Sequence, residues 1–317
     1  MLLSILIPNY GFSDLTIRCL KSIEPQAIDN DFEVLICDQS SDSDRKKILE
    51  LTKSISRCKV IILDKPDVLL ARKILLENAS GEYIFFVDSD DYIDQNFIGQ
   101  ISQIIKKRNY PDLIITSYYL ENSKTCVKND DLLFVDNNNF DTYFFCSDLM
   151  NTLWRKIFKR SLFNPEDISN LESTNGDDWI ISLSIIKRVK TKCFEPDLCG
   201  YHYCTNDTGL THTMTFERFK KSFALKDQFL SFLENIDYQL LFKSKMTKYL
   251  SFCIISYRSN RDKTLIKASF SFVRNNLFNT LKIPRKAAHG LKQKILYFII
   301  KHKMFFLFFM IIKKSAK

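Results

Sequence analysis

The sequence predicts an open, twisted α/β sheet followed by a helical C-terminal region. Four short apolar runs recur in the first ninety residues with helix-spaced segments between them, and beyond about Thr215 the chain reads as successive helices with Lys and Phe intermixed. The 317 residues are 45% hydrophobic and contain no long low-complexity tract, so a large core is available and the whole chain is expected to fold.

The four runs are Leu2–Pro8, Phe32–Asp38, Lys59–Asp64 and Glu82–Asp88. They are rich in Ile, Val and Phe on both faces, as in parallel strands covered on both sides. Ser13 is a good N-cap for a helix carrying Asp14 in its first turn and Leu15, Cys19, Leu20 and Ile23 on one side. A second helix follows Pro66 and Asp67, carries Leu69, Leu70, Ile74 and Leu75, and stops at Ser80–Gly81. Right-handed crossovers between such strands place ligands outside the carboxyl ends, where Asp38, Asp64 and Asp88 stand.

After about residue 110 the pattern is mixed. Leu113–Glu121 reads as one strand, an Asn/Asp-rich loop lies around Asn129–Asn139, and Asp177–Val189 reads as a helix opened by two acids. The expected division is residues 1–210 as the α/β domain and 211–317 as the helical region.

The net charge of +9 is concentrated at one end: Leu281–Lys317 holds ten Lys and Arg with no acid, while the rest of the chain is nearly neutral. The same end contains the apolar series Ile295–Lys314, a combination that excludes a nucleic-acid partner and suits a membrane surface. Its longest apolar run, Met304–Ile312, is far shorter than the roughly 20 residues of a spanning helix. The expectation is an interfacial helix with snorkelling lysines, against the alternative of a helix packed on the protein's own core. Nine cysteines lie without CxxC pairs, and Cys193, Cys199 and Cys204 lack zinc-site spacing. No basic n-region precedes the first strand, so the thiols are read as reduced in a cytoplasmic protein, peripheral on the inner face of the membrane.

The chemistry concentrates in Asp88-Ser89-Asp90-Asp91, where carboxylates one residue apart at a strand end can converge on a divalent cation that takes its other ligands from phosphate and water. A phosphatase with an aspartyl nucleophile would place such a motif after the first strand and continue it with Gly-Thr; here it follows the fourth strand. A nucleotidyltransferase would want a Gly-rich phosphate loop, which Pro8-Asn9-Tyr10-Gly11 does not supply.

The chain resembles the family 2 glycosyltransferases of the GT-A fold, a Rossmann-like open sheet, in the bacterial surface polysaccharide group. Ser4–Tyr10 resembles their first strand and turn, Ile36–Asp42 their Asp-rich loop, Leu69–Arg72 their Ala-Arg-Asn helix, and Ala79–Asp91 their DxD strand. Trp154–Phe163 and Gly176–Trp179 are similar to two later elements, in the same order. The resemblance implies an inverting, metal-dependent transfer of a sugar from a UDP-sugar to a glycan acceptor, such as one linked to undecaprenyl diphosphate, in O-antigen, capsule or exopolysaccharide synthesis. It implies Mn²⁺ or Mg²⁺ on Asp90 and Asp88, with His212 as a further candidate ligand. Tyr10 would stack on uracil, Asp38 would accept from its N3–H, and Pro8, Arg72 and Ser89 would line the nucleotide-sugar site. Asp178, beside Asp177, would be the general base, favoured as a carboxylate by the helix dipole. Lys73 replaces the family's Asn, Pro66-Asp67-Val68 replaces Asn-x-Gly, and Tyr203-Cys204 stands where Tyr-Arg is common. The alternative is a catalytically silent nucleotide-sugar-binding scaffold.

Overall fold

The computed structural model describes residues 1–27, 31–128, 149, 152–168, 177–204, 215–225, 227 and 237–316. The expected Asn/Asp-rich loop, His212, Gly176 and the expected boundary at residues 210–211 lie outside these. The chain divides into two compact units, Met1–Val135 with Leu149–Gly209, and Asp136–Asp148 with Leu210–Lys317.

In the first unit, β1 (Leu3–Asn9), α1 (Asp14–Ile23), β2 (Phe32–Asp38), α2 (Asp42–Thr52), β3 (Cys58–Ile62), α3 (Val68–Asn78) and β4 (Tyr83–Phe86) alternate as the sequence predicts. Each helix is started by a side chain that accepts from an otherwise unpaired first-turn N–H: Ser13 from Thr16, Ser41 from Asp44 and Asp67 from Leu70. Strands β1, β2 and β4 are buried on both faces, or nearly so. β3 differs. It is the outer strand of the sheet and only half covered, with Ile62 exposed, because among the described residues no strand pairs with its far side.

Three strands continue this sheet past β4. β9 (Lys156–Lys159) inserts antiparallel between β4 and β6 (Leu113–Thr116), and β10 (Lys192–Glu195) pairs parallel with β6, giving the order β10-β6-β9-β4-β1-β2-β3. Gly81, expected only as a helix stop, has a packing reason: a Cβ there would stand 2.6 Å from backbone atoms of Leu3 and Ser4.

The predicted strand at Leu113–Glu121 is broken. Ser117, whose N–H donates to Leu198 O at 3.1 Å, ends β6 and hands the chain to a second sheet through β7 (Tyr118–Leu120). That sheet has the order β5 (Tyr92–Ile93), β11 (Tyr201–Tyr203), β7, β8 (Thr125–Val127). It also corrects the reading that all thiols are reduced: Cys126 in β8 and Cys199 just ahead of β11 form a disulfide, their Cα atoms 6.4 Å apart. Seventy-three residues separate them in sequence, so no local spacing announces the pair.

The second unit is helical, as expected: Phe216–Leu225, Tyr238–Asn260, Lys263–Asn275, Gly290–Lys301 and Phe305–Ser315. The terminal segment is not one interfacial helix. It bends between its last two helices, where Lys303 has positive φ, and buries its inner side on the unit's own core: Phe308 and Ile312 are inaccessible, and Phe308 stacks on Tyr249 at 5.1 Å. Its outer side leaves Leu291, Ile295, Phe298, Phe306 and Met310 exposed. Among the described residues no helix is long and apolar enough to cross a membrane.

Candidate active site

The carboxyl ends of β1, β2 and β4 form one rim of the first unit's main sheet. At its β1 corner Tyr10 is 71% exposed, an open aromatic face directly after buried Pro8 and Asn9. Asp38, at the end of β2, is fully buried. Its Oδ1 accepts from Asn9 Nδ2 at 3.0 Å and from the Ser40 hydroxyl at 2.6 Å and N–H at 3.3 Å, and its Oδ2 accepts from Arg45 Nε at 3.4 Å. Asp64, two residues beyond β3, is exposed and outside this network.

β4 ends in a tight turn closed by Asp91 N–H donating to Asp88 O at 3.0 Å. Asp88, Ser89 and Asp90 are partly exposed on it, whereas Asp91 points inward. Burial, reinforced by the charge of Asp88, pushes the Asp90 carboxyl up to about 6; burial with Asp88 and Asp90 pushes Asp91 up to about 8. The turn is therefore short of positive charge. Arg18 from α1 reaches it from behind, donating to Asp90 O at 3.2 Å and lying 4.5 Å over the Tyr92 ring.

The residue that ties the rim together is Arg72 of α3. Its guanidinium donates to Asp88 Oδ1 at 3.3 Å through Nη2 and pairs through Nη1 with Asp178 at the start of the Asp177–Ile186 helix. Burial disfavours the cation, but the carboxylates of Asp178, Asp88 and Asp177 outweigh it and hold Arg72 above its ordinary range. Asp178 is 18% exposed; burial raises its carboxyl, opposed by Arg72, by Lys156 and by the N–H of Leu153. Lys156 in β9 is buried, and burial depresses it well below the usual ammonium range although Asp178 pulls the other way. The helix dipole alone does not govern Asp178; desolvation and the Arg72 cation do.

The structure thus brings Arg72, Asp88 and Asp178 into direct contact, with Ser89 and Asp90 on the same turn and Asp177 beside Asp178. Among the described residues no three His, Cys, Asp or Glu side chains form a metal cage. Two neighbouring carboxylates on an acid-rich turn, one raised by burial and by the other's charge, nonetheless fit a Mg²⁺ or Mn²⁺ ion whose remaining ligands are phosphate and water.

Glycosyl transferase family 2 matches residues 4–163, half of the chain, from β1 through the Arg160–Leu162 turn that follows β9. The chain belongs to that family. The "Glycosyltransferase GlyA" of Streptococcus pneumoniae is 26% identical over 173 residues, covering 51% of this chain and 25% of GlyA. The Escherichia coli "UDP-Glc:alpha-D-GlcNAc-diphosphoundecaprenol beta-1,3-glucosyltransferase WfgD" is 34% identical over 129 residues, 40% of this chain and 49% of WfgD. The chain therefore spans half or less of the length of these two relatives. The crystal structure of S. aureus TarS in complex with UDP-GlcNAc superposes with a TM-score of 0.66 at 18% identity, covering 91% of this chain and 83% of that one, which shows the GT-A fold.

Three residues of the candidate site have no assignment from sequence: Arg18, Lys156 and Tyr201. Lys156 has a signal, since Arg155-Lys156 are adjacent bases between Trp154 and the apolar Ile157-Phe158, and buried bases need partners. Arg155 answers that need with two bonds to Thr116 O, at 3.1 and 2.8 Å. His202 lies in β11 with its Nε2 2.8 Å from Asp94 and its Nδ1 3.1 Å from Glu121, so both ring nitrogens face protein carboxylates.

Replacing Arg72 by Met leaves the partly exposed Asp88 and Asp178 without their cation, and the expected cost at neutral pH is about 2 kcal/mol. The Asp178 carboxyl, already raised by burial, rises further once its main opponent is gone. The folded Arg72→Met protein then binds more protons than the unfolded chain above the ordinary carboxyl range, so its deficit relative to wild type shrinks as pH falls from 7.5 to 5.5. Urea unfolding of both proteins at the two pH values measures this.

Proposed function

We propose that the protein is an inverting glycosyltransferase that moves a sugar from a UDP-sugar to a hydroxyl of a lipid-linked glycan acceptor in bacterial surface polysaccharide synthesis. The observation that carries the proposal is the convergence of Asp88, at the diphosphate end, and Asp178, at the acceptor end, on the single guanidinium of Arg72. UDP as the donor nucleotide is supported by the TarS complex with UDP-GlcNAc, and a diphosphoundecaprenol-linked acceptor by the name of WfgD.

Tyr10 offers the open ring for the base, and the wall formed by Pro8, Asn9, Asp38 and Ser40 limits its depth. Mn²⁺ or Mg²⁺ held by Asp90 and Asp88 would supply positive charge to the departing diphosphate. Asp178 takes the proton of the acceptor hydroxyl as its oxygen bonds to the anomeric carbon; the bond to UDP breaks on the opposite face, its electron pair leaves with UDP, and the anomeric configuration inverts. A carboxylate raised by burial is a stronger base than one in water, and the Arg72 cation opposes that rise. Asp178→Asn is expected to abolish sugar transfer, by about a thousandfold or more, while UDP affinity stays within about twofold. Transfer at the wild-type rate would remove Asp178 from the role of base, and a wild type that binds UDP-sugars without transferring or hydrolysing them would favour the scaffold reading.

The membrane-facing part of the proposal places the protein on the inner face of the cytoplasmic membrane through the exposed side of its last two helices. Leu291, Ile295 and Phe298 follow helical spacing on one face, and Phe306 and Met310 continue the apolar surface among lysines with no neighbouring acid. Substituting these five by Ser spares the buried Phe308 and Ile312. It is expected to abolish sedimentation with phosphatidylglycerol-containing vesicles at unchanged helicity; undiminished sedimentation would exclude this surface.

A further inference from the structure

We propose that Tyr201 and Asp91 form a hydrogen-bonded strut that sets the conformation of the Asp88–Asp90 turn, which makes both of them positioning residues of the donor site. This rests on the donor-site reading above. The sequence accounted for Asp91 only as one more acid in a row, and Tyr201 drew no notice.

The Tyr201 side chain is wholly buried in β11 of the second sheet. Its hydroxyl donates to Asp91 Oδ2 at 2.6 Å and accepts from the backbone N–H of Asp88 at 3.2 Å. Asp91, 1% exposed, accepts through its other oxygen from Cys204 N–H at 2.8 Å. Both Asp91 oxygens are thus engaged by protein, and the side chain has turned away from the rim that Asp88 and Asp90 face. The ring of Tyr201 is itself fixed, stacked on Trp154 at 4.7 Å and edge-on to Phe85 at 6.2 Å.

The turn is therefore held from behind at three of its four residues. Asp88 is held through its N–H by Tyr201, Asp90 through its carbonyl by Arg18, and Asp91 through its carboxylate by Tyr201 and Cys204. Two like-charged carboxylates one residue apart repel, and a two-point bracket from a different sheet keeps them side by side before any ligand offsets that repulsion. The phenol is needed as donor and acceptor at once. Tyr201→Phe keeps the ring contacts and strands both an N–H and a carboxylate oxygen.

Two readouts separate the strut from the reading it rests on. Calorimetric titration of UDP with Mn²⁺ and with EDTA gives the metal-dependent gain in affinity, which in Tyr201→Phe is expected to fall about tenfold while affinity in EDTA is unchanged. The control is Tyr83→Phe, which removes a buried phenol that donates to Pro111 O at 2.8 Å, away from the turn; it is expected to leave that gain intact. Hydrogen exchange of the peptide spanning residues 86–92 tests the strut without ligand: protection falls in Tyr201→Phe and not in Tyr83→Phe. Unchanged protection in Tyr201→Phe, or equal loss in both variants, overturns the strut. A wild type whose UDP affinity ignores Mn²⁺ refutes the metal reading of the donor site instead, and the exchange measurement still decides the strut.

Discussion

The guanidinium of Arg72 is the interaction on which the candidate site depends. It joins the end of β4 to the start of the Asp177–Ile186 helix, two elements some ninety residues apart in sequence, by pairing with Asp88 and Asp178. A lone buried carboxylate would neutralise itself by taking up a proton, and two would do so more readily. Arg72 stands between Asp88 and Asp178 and supplies each with a cation, and at Asp178 its charge opposes the effect of burial. Burial and the Arg72 charge act in opposite directions on Asp178, a balance that suits the base role proposed for it.

Around this pair the two sheets of the first unit divide the labour. The main sheet supplies the rim, with Tyr10, Asp38 and the Asp88–Asp90 turn at the ends of parallel strands. The second sheet, stapled by the Cys126–Cys199 disulfide and by His202 stacked at 4.2 Å on Tyr92 and 5.1 Å on Tyr119, braces the turn from the other side. Its strands are only two or three residues long, so side-chain bonds and ring stacks hold it together more than ladder hydrogen bonds do.

How far the sequence reveals these features follows from the range of the interaction responsible. β1 to β4 and their intervening helices are legible because apolar runs, N-caps and breakers act locally. So is the turn at Asp88–Asp90, where three acids follow four apolar residues. The exposed edge of β3 is not legible, since its residues are as apolar as those of a covered strand. Nor is the break at Ser117, which is set by a hydrogen bond to Leu198 eighty residues on. Asp178 could be found from its motif, but the cause of its protonation behaviour could not, because Arg72 lies more than a hundred residues before it. Tyr201 stands 110 residues from the acid it holds, in a strand too short to show any period. In the tail, composition revealed a basic apolar segment, yet only the fold separates the side that buries Phe308 from the side that leaves Phe306 exposed.

The central claim is that one rim of one sheet holds a sugar nucleotide by its base at Tyr10 and by its diphosphate at Asp88 and Asp90. Hydrolysis of a panel of UDP-, GDP- and CDP-sugars by the purified wild-type protein, with Mn²⁺ and with EDTA, tests it most directly. The account predicts turnover of UDP-sugars alone, and only with the metal present. Turnover that is indifferent to the nucleotide or undiminished in EDTA, or no turnover of any sugar nucleotide, would contradict it.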